Sequence, residues 1–368
     1  MTEHTLTADA LAERFFGSAL GAVELMSVYV GDRLGWYRTL ADDGPATAPR
    51  LAERTGTHPR YAREWLEQQA VSGFLTVTSD ASVADGDARI YSIPPATVEV
   101  MTDEGSVNYL APLARMFGGV APLMPDLLGA YRDGGGVSWA SMGVDARESQ
   151  SDMNRPWFEN RLADALSRAD GLHATLSRPG AAVLDVGCGG GWSTIALARA
   201  YPSATFHGID IDEATVAMAR DNVTRAGLAD RIHVTCADAA EPLPGPFTAA
   251  FAFECVHDMP QPVGVLSSVR DALAPGAPVV VMDEAAAETF APDGDEVERL
   301  LYGFSLFVCL PDSMSHDPSV ATGTVIREAT VRQIASDAGY ASVDVLPIDD
   351  FGFWRFYRLG TGTPVVQT

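Results

Sequence analysis

The chain has 368 residues, of which 25 are basic and 49 acidic, so its formal net charge at pH 7 is −24. Such an acidic chain is poorly suited to bind nucleic-acid backbones or anionic membranes, since both attract clustered positive charge. The hydrophobic content of 47% is typical of a globular protein with a full core, and the length is sufficient for two domains.

Four cysteines lie far apart in the sequence and form no C-x-x-C pair. They are expected to be small core residues in a reducing compartment. The first 20 residues contain no apolar signal-peptide core, and no run of about 18 apolar residues predicts a membrane span. We therefore expect a cytoplasmic protein that does not insert into a membrane.

Residues 1–95 predict a helical domain with a wing. Residues 8–40 have apolar side chains at helical spacing, including Phe15, over a wider face than one small domain buries. Thr47 is the expected N-cap of a short helix, and a second helix from Pro59 is followed by a β-hairpin. This order indicates a winged helix-turn-helix. The surplus of apolar surface favours a homodimer formed through this domain.

A winged helix-turn-helix has two interpretations, DNA recognition or dimerisation. The second helix carries as many acidic as basic side chains, the acidic side chains are in excess at the wing tip, and these surfaces would repel phosphate. Dimerisation is therefore favoured, while a DNA-binding role stays the alternative. The charged residues concerned are Arg60, Arg63, Arg89, Glu64, Glu67, Asp80, Asp85 and Asp87.

Residues 96–165 predict a helical connector that contributes to a ligand pocket, and residues 166–368 predict a second domain. The connector ends in a helical pattern that carries two neighbouring aromatic residues, Trp157 and Phe158. Because this helix leads directly into the second domain, we expect both side chains to face the pocket.

The second domain is organised around the stretch AAVLDVGCGGGWS, from Ala181 to Ser193. An apolar run predicts a buried strand, and a glycine-rich turn then leads into a helical pattern. This geometry brings backbone N–H groups and a helix N-terminus against a bound cofactor. Trp192 stands where the dinucleotide motif G-x-G-x-x-G has its third glycine. Asp185 would repel a pyrophosphate but can accept hydrogen bonds from an ammonium group.

Acidic residues recur at the ends of the following predicted strands. Asp210 ends the second strand, at the distance from the glycines where α/β folds hold a ribose diol. Asp238 ends the third strand, Glu254 and His257 follow the fourth, and Asp283 ends the fifth. The carboxyl ends of parallel strands line the ligand crevice of an open α/β sheet, so these side chains are expected to meet there.

The segment between the fifth strand and Gly323 is too long for a simple crossover. We expect an insertion at about residues 284–324 that folds over the pocket as a helical lid. Thr330 and Gln333 have capping-box spacing and predict the start of a helix there. The segments SVDVLPI and FWRFYRL predict two closing strands.

The glycine-rich stretch resembles motif I of class I S-adenosylmethionine-dependent methyltransferases. Four further segments, ALGAVELMSVYVGDRLGWY, YAREWLEQQAVSGFL, AFECVHDMPQPVG and FWRFYRL, are similar to an actinobacterial group described as methyltransferases or transcriptional regulators. The chain also resembles plant-type O-methyltransferases. The resemblance implies an α/β fold, with a Rossmann-like seven-stranded sheet and an N-terminal α+β winged-helix dimerisation domain.

The same resemblance implies that S-adenosylmethionine is the cofactor and S-adenosylhomocysteine the product. Asp185 would lie at the methionine end, Asp210 would hold the ribose, and Asp238 would accept a hydrogen bond from the adenine amino group. Glu254 would line the floor below the sulfonium. In order along the chain, the implied cofactor residues are Asp185, Gly187, Gly189, Asp210, Ile211, Asp238, Ala239, Glu254 and Cys255.

His257 is the catalytic hypothesis that the resemblance implies. In plant-type O-methyltransferases a His-Asp-Trp stretch after the fourth strand supplies the general base, and here Met259 replaces the tryptophan. A histidine, with an ordinary pKa of about 6.5, suits deprotonation of a phenol during methyl transfer. Glu284 or Asp283 can orient the imidazole. The alternative is that His257 only packs or caps the following helix.

Methyl transfer depends on alignment of the nucleophile, so a dry aromatic pocket is expected. Its candidate substrate-binding residues are Trp157, Phe158, Phe304 and Phe307, and we expect no metal-binding constellation. The leading function is O-methylation of a small aromatic or polyketide-like metabolite. The alternatives are a DNA-binding transcriptional regulator with a cofactor-binding domain and a protein or RNA methyltransferase, of which the acidic charge disfavours RNA.

Overall fold

The computed structural model describes residues 7–78 and 86–362 of the chain. These residues form two compact units, and the division falls between Gly118 and Gly119. The domain boundaries expected near residues 95 and 165 stay predictions. None of the helices in the described residues has both the length and the apolar character needed to cross a lipid bilayer.

The first unit is helical and carries a two-stranded wing. Thr47 caps the third helix as predicted, because its Oγ1 accepts a hydrogen bond from the backbone N–H of Arg50 at 3.4 Å. The two short strands pair antiparallel, which confirms the predicted hairpin. Asp80 and Asp85 of the predicted wing tip lie outside the described residues. The elements are α1 (Ala8–Arg33), α2 (Trp36–Asp42), α3 (Ala48–Thr55), α4 (Pro59–Val71), β1 (Thr76–Val77), β2 (Tyr91–Ser92), α5 (Pro95–Thr102) and α6 (Ala111–Val120), of which α6 crosses the division.

Only the C-terminal half of α1 packs against the rest of the first unit. Gly31 lies so close to the indole of Trp65 that a Cβ would be 2.3 Å from the ring. The Nε1 of Trp65 donates to the carbonyl oxygen of Ser27 at 2.9 Å. The N-terminal half leaves a wide apolar face exposed in this unit, as the sequence predicts. The large exposed side chains along the whole of α1 are Leu11, Phe15, Phe16, Leu20, Val23, Met26 and Val30.

The second unit alternates strands and helices around one sheet. Two π-helical turns, Phe158–Leu162 and Ser305–Cys309, interrupt its helical segments. Its regular elements are α7 (Met124–Asp133), α8 (Trp139–Trp157), α9 (Ala163–Ser167), α10 (Leu172–Leu176), β3 (Ala182–Val186), α11 (Trp192–Ala200), β4 (Thr205–Asp210), α12 (Glu213–Arg225), β5 (Ile232–Cys236), β6 (Ala249–Phe253), α13 (Pro262–Asp271), β7 (Val279–Glu284), α14 (Glu296–Phe304), α15 (Leu310–Ser313), α16 (Glu328–Asp337), β8 (Ser342–Val345) and β9 (Trp354–Gly360).

The sheet has seven strands in the order β5-β4-β3-β6-β7-β9-β8, and β9 runs antiparallel to both of its neighbours. Successive residues of the central strands enter cores on opposite faces, so that Val183 packs on one side and Leu184 on the other. Helices cover both faces, which explains why the strands read as nearly continuous apolar runs. The observed architecture confirms the predicted α/β class and the two closing strands.

Within the expected insertion at about residues 284–324, residues 296–313 are helical, and the lid role of this insertion stays a prediction. It contains α14, the π-helical turn Ser305–Cys309 and α15. The predicted start of the next helix at Thr330 is wrong, because α16 begins at Glu328 and Thr330 lies inside its first turn. The capping-box spacing was misleading because Arg327 occupies the cap position without a side-chain cap bond.

Candidate active site

Asp185, Asp210 and Asp238 lie at one edge of the sheet. Asp185 belongs to β3 and Asp210 ends β4, two parallel neighbours, while Asp238 follows β5 on the other side of β4. The backbone N–H of Ala237 donates to the carbonyl oxygen of Asp210 at 3.0 Å, which ties the end of β5 to that of β4. The three strand ends that the sequence predicts to meet therefore do so.

The glycine turn after β3 has an unusual backbone. Gly187, Gly189 and Gly191 all have positive φ angles, of 64°, 52° and 78°, in a region that favours glycine. A Cβ on Gly187 would lie 2.8 Å from the side chain of Cys255, whereas in the described part of the chain no heavy atom beyond the adjacent residues lies within 4 Å of the Cβ position of Gly189. The N–H of Gly189 donates to Oδ2 of Asp210 at 3.0 Å. Asp210 thus fixes the turn and leaves the space beside Gly189 open.

Asp185 is fully buried, and only one of its two carboxylate oxygens is hydrogen-bonded within the described part of the chain. Its Oδ2 accepts hydrogen bonds from Ser193 Oγ at 2.7 Å and Thr194 Oγ1 at 2.5 Å. Its Oδ1 is buried with no hydrogen-bond partner among the described residues. Burial raises the pKa of Asp185 to about 6, although these two hydroxyls lower it. An unpaired buried carboxylate oxygen fits a ligand that brings a cationic donor, such as an ammonium group.

The neighbouring rim of the site is more open. Ile211 is 55% exposed, Asp238 is exposed, and Ala239 is buried beside them. Asp238 Oδ1 accepts from the backbone N–H of Ala240 at 2.8 Å, which fixes the loop after β5. Asp212 caps α12 and pairs with Arg147 of α8 at 2.7 Å. This rim offers an apolar side chain and a carboxylate side by side, which suits a planar base with an amino group.

His257 is buried between two carboxylates. Its Nδ1 lies 2.6 Å from Oδ1 of Asp283, and its Nε2 lies 3.3 Å from Oδ1 of Asp258. Its backbone N–H also donates to Asp283 Oδ2 at 3.3 Å. Burial lowers the pKa of His257, but the charges of Asp258 and Asp283 outweigh it and raise the pKa well above its ordinary value. Asp283 is therefore the residue that holds the imidazole by a direct hydrogen bond.

Glu254 and Glu284 lie next to this histidine. Glu254 has a φ of 53°, and its Oε2 accepts a hydrogen bond from Asn154 Nδ2. Burial raises the pKa of Glu254 to about 7, while His257 and Asn154 act to lower it. Glu284 is 3% exposed, and burial, followed by the charge of Glu254, raises its pKa well above the ordinary value. Its Oε2 has no hydrogen-bond partner among the described residues.

Cys309 brings the helical insertion to the site. Its sulfur and potential ligand atoms of His257 and Asp258 all lie within 4.8 Å of one another. Burial raises the pKa of the Cys309 thiol to about 12. The sequence shows the His257–Asp258 pair but gives no signal that a cysteine from the insertion lies beside it.

The aromatic candidates have different surroundings. Trp157 is partly buried and packs against Phe351 in a tilted contact and against Trp354 edge-on. The ring centroids lie 5.4 and 5.7 Å away. Phe158 is 7% exposed and packs on Phe253 in the core, with centroids 5.8 Å apart. The half-buried Phe304 and Phe307 belong to the helical insertion. Phe158 and Trp157 thus both pack against the core, and a substrate contact for all four aromatic residues stays a prediction.

Several polar residues at the site were missed in the sequence. Ser193 and Thr194 bind Asp185, and a signal existed, because hydroxyl residues directly after the glycine turn begin the helix packed on β3. Asn154 comes from α8, about one hundred residues before Glu254. Nothing in the spacing of these two residues could have joined them.

Two segments of the chain match known protein families. Residues 183–276 match a methyltransferase domain, and residues 21–103 match an Rv2258c-like winged HTH domain. The first match contains the glycine turn and the strand-end acids Asp185, Asp210 and Asp238, and the second contains most of the first unit. The chain therefore has a class I methyltransferase fold preceded by a winged helix-turn-helix domain of the Rv2258c type.

Individual relatives agree with this class. Over 101 residues the chain is 38% identical to the ubiquinone biosynthesis O-methyltransferase of Pseudomonas paraeruginosa, a match that covers 27% of this chain and 43% of that protein. The mitomycin 7-O-methyltransferase MmcR superposes with a TM-score of 0.69 at 21% identity, covering 96% of this chain and 99% of MmcR. Human N-acetylserotonin methyltransferase in complex with SAM gives 0.71 at 16% identity, covering 99% and 100%. The chain thus spans less than half of the Pseudomonas relative, and the two structures show the shared fold.

Proposed function

We propose that the protein is an S-adenosylmethionine-dependent methyltransferase that acts on a small molecule. The observation that carries this proposal is Asp185, a buried carboxylate with one unpaired oxygen beside a glycine turn that leaves open space at Gly189. A ligand with an ammonium group at one end would satisfy that oxygen. Relatives named as methyltransferases, one of them bound to SAM, support the same cofactor.

The residues at the strand ends fit this cofactor along its whole length. Asp185, with Gly187 and Gly189, would hold the methionine end, and Asp210 would hold the ribose. The open rim of Ile211, Asp238 and Ala239 would take the adenine. Glu254 and Cys255 would form the floor below the sulfonium, which supplies a methyl group that is already activated.

For the acceptor we propose a hydroxyl group of a small aromatic or polyketide-like metabolite, with His257 as general base. Nε2 of His257 would take the hydroxyl proton while the oxygen takes the methyl group. Asp283 holds the ring through Nδ1, and Asp258, 3.3 Å from Nε2, would stabilise the imidazolium that forms. Because the two carboxylates raise the pKa of His257, the neutral form that can act as a base is favoured at alkaline pH.

We further propose that the winged domain forms a homodimer in the cytoplasm rather than binding DNA. The basic residues of α4 and the wing are engaged by acids: Arg60 pairs with Glu64 at 2.5 Å, and Glu67 pairs with Arg63 and Arg89 at 3.1 and 2.5 Å. These pairs reduce the positive charge available for phosphate. The apolar face of α1 supports contact with a second copy.

Isothermal titration of the full chain with S-adenosylmethionine tests the proposed cofactor. We expect one site per chain in the wild type and a much weaker site in Asp185→Asn, since that change removes the charge that pairs with the ammonium group. Asp221→Asn, an exposed carboxylate on α12, is the matched control and should bind like the wild type. A wild-type protein that takes up no cofactor would refute the proposed function.

A further inference from the structure

Two buried glutamates lie beside His257 and have no proton-transfer role in the proposed methyl transfer, in which Glu254 only lines the floor below the sulfonium. Glu254 follows β6, and its backbone N–H donates to the carbonyl oxygen of Met282 in β7 at 2.7 Å. Glu284 is the last residue of β7. The two strands are parallel neighbours, so both glutamates lie at the same edge of the sheet. Both also interact with the charge of His257.

Glu284 is held in an unfavourable setting. Its side chain is almost completely buried, and its Oε2 has no hydrogen-bond partner among the described residues. A buried polar atom without a partner is unfavourable, and folded proteins contain few of them. Such an atom at a site where ligands are expected to bind points to a donor that arrives with the ligand.

Glu254 is constrained in a different way. Its φ of 53° lies in the left-handed region, which is strained for a non-glycine residue, and such strain is enriched at functional sites. The amide of Asn154 binds Oε2 and fixes the carboxylate. The strain at Glu254 and the unpaired oxygen of Glu284 therefore occur at adjacent strand ends. Together, the two carboxyl groups form a site that can accept hydrogen bonds from a ligand.

The charges around this site are unbalanced. The carboxylates of Glu254, Glu284, Asp258 and Asp283 surround the single imidazole of His257 and act on one another's ionisation. A cation bound between Glu254 and Glu284, in addition to the imidazole of His257, would offset the repulsion between the two carboxylates by attracting both. An ammonium group has three donors and can bridge two carboxylates while it pairs with Oε2 of Glu284.

We propose that Glu284 and Glu254 bind a protonated amine of the substrate, so that the molecule methylated here carries a basic nitrogen in addition to the hydroxyl group that faces His257. This inference rests on the proposed function and specifies its substrate class. An analogue with a neutral hydroxyl in place of the amine would leave the two carboxylates without a counter-charge. Sites that lose a charged hydrogen bond discriminate strongly against such an analogue.

Matched pairs of phenols test the inference by titration into the full chain saturated with S-adenosylhomocysteine. Tyramine and tyrosol share the phenol and differ only in an amine against a hydroxyl, as do 4-hydroxybenzylamine and 4-hydroxybenzyl alcohol. We expect the amine of at least one pair to bind about tenfold or more tightly than its alcohol, the effect of one charged hydrogen bond. Glu284→Gln should abolish this preference, and Asp221→Asn should keep it.

Each other outcome has a definite meaning. Equal binding of amines and alcohols, no binding of either amine, or a preference that survives in Glu284→Gln would overturn the inference. If Glu284→Gln weakens S-adenosylmethionine but not S-adenosylhomocysteine, the glutamate serves the sulfonium and the amine proposal is wrong. Failure of the wild type to bind either cofactor form would instead refute the proposed function. Thermal melting and S-adenosylhomocysteine affinity show that the variant is folded.

Discussion

The carboxylates at the ends of β3 and β4 are held differently from those at the ends of β6 and β7. Asp185 and Asp210 are fixed by hydroxyl groups and backbone N–H groups, and one oxygen of Asp185 stays unpaired. Glu254 and Glu284 instead lie beside each other and beside His257. The first group forms a rigid cradle for one defined ligand, whereas the second group places buried carboxyl groups with raised pKa values where the chemistry is proposed.

The largest expected effect concerns the second region. His257→Asn should lower the rate of methyl transfer to a phenol by about 10²–10⁴-fold, the usual contribution of a general base. Cofactor affinity should be unchanged, because His257 does not belong to the cradle. Rates of S-adenosylhomocysteine formation and cofactor titrations measure the two quantities. A variant with wild-type turnover would show that His257 only packs in the core.

Asp283 belongs to the second region as a positioning residue, because its carboxylate holds the imidazole of His257. The wild-type rate should rise with pH as His257 loses its proton, since the carboxylates raise the pKa of that histidine. Asp283→Asn removes one of these charges and should shift the rising limb of the pH–rate profile towards lower pH while reducing kcat. A profile that keeps the wild-type midpoint would contradict the role given to Asp283.

A substitution at Gly189 tests whether the first region binds the cofactor. Gly189→Ala should weaken cofactor binding about tenfold or more, because its Cβ would enter open space that we assign to the cofactor, and cost about 1–2 kcal/mol of folding stability through the positive φ. Gly187→Ala is the comparison: its Cβ also meets Cys255, so it should destabilise the fold more. Titration and denaturant unfolding separate the two effects. Wild-type cofactor affinity in Gly189→Ala would contradict the cradle.

In the second region, Glu254 should make the stability of the protein depend on pH. Burial raises the pKa of Glu254 from its ordinary 4.5 to about 7, so its contribution to stability is fully present below pH 4.5 and is lost as pH rises through 7. The melting temperature should therefore fall between pH 5 and pH 8, and Glu254→Gln should flatten this fall. An unchanged slope in that variant would show that other groups control it.

The smallest effect on the site is expected from α1. Leu20→Glu, on its exposed apolar face, should convert a dimer into a monomer by sedimentation and leave cofactor affinity unaltered. Glu13→Gln, a polar change on the same exposed helix, is the control. A wild-type chain that sediments as a monomer would refute the proposed dimer.

The two regions also differ in how far the sequence predicts them. The cradle was predictable because each of its acids lies at or just after the end of a predicted strand, and parallel strand ends meet at one edge, as Asp185 and Asp210 do. The second region is assembled by tertiary packing. Asn154 reaches Glu254 from α8, and Cys309 reaches His257 from the helical insertion, over sequence separations that carry no local signal.

The most direct test of the cradle compares two ligands that differ at one end. S-adenosylhomocysteine and 5′-methylthioadenosine share the adenosine, but only the former carries the amino-acid end assigned to Asp185. Asp185→Asn should weaken S-adenosylhomocysteine about 10–100-fold, the loss of a charged hydrogen bond, and leave 5′-methylthioadenosine unchanged, whereas Asp210→Asn should weaken both. Equal losses for the two ligands in Asp185→Asn, or none for either, would contradict the placement of the cofactor.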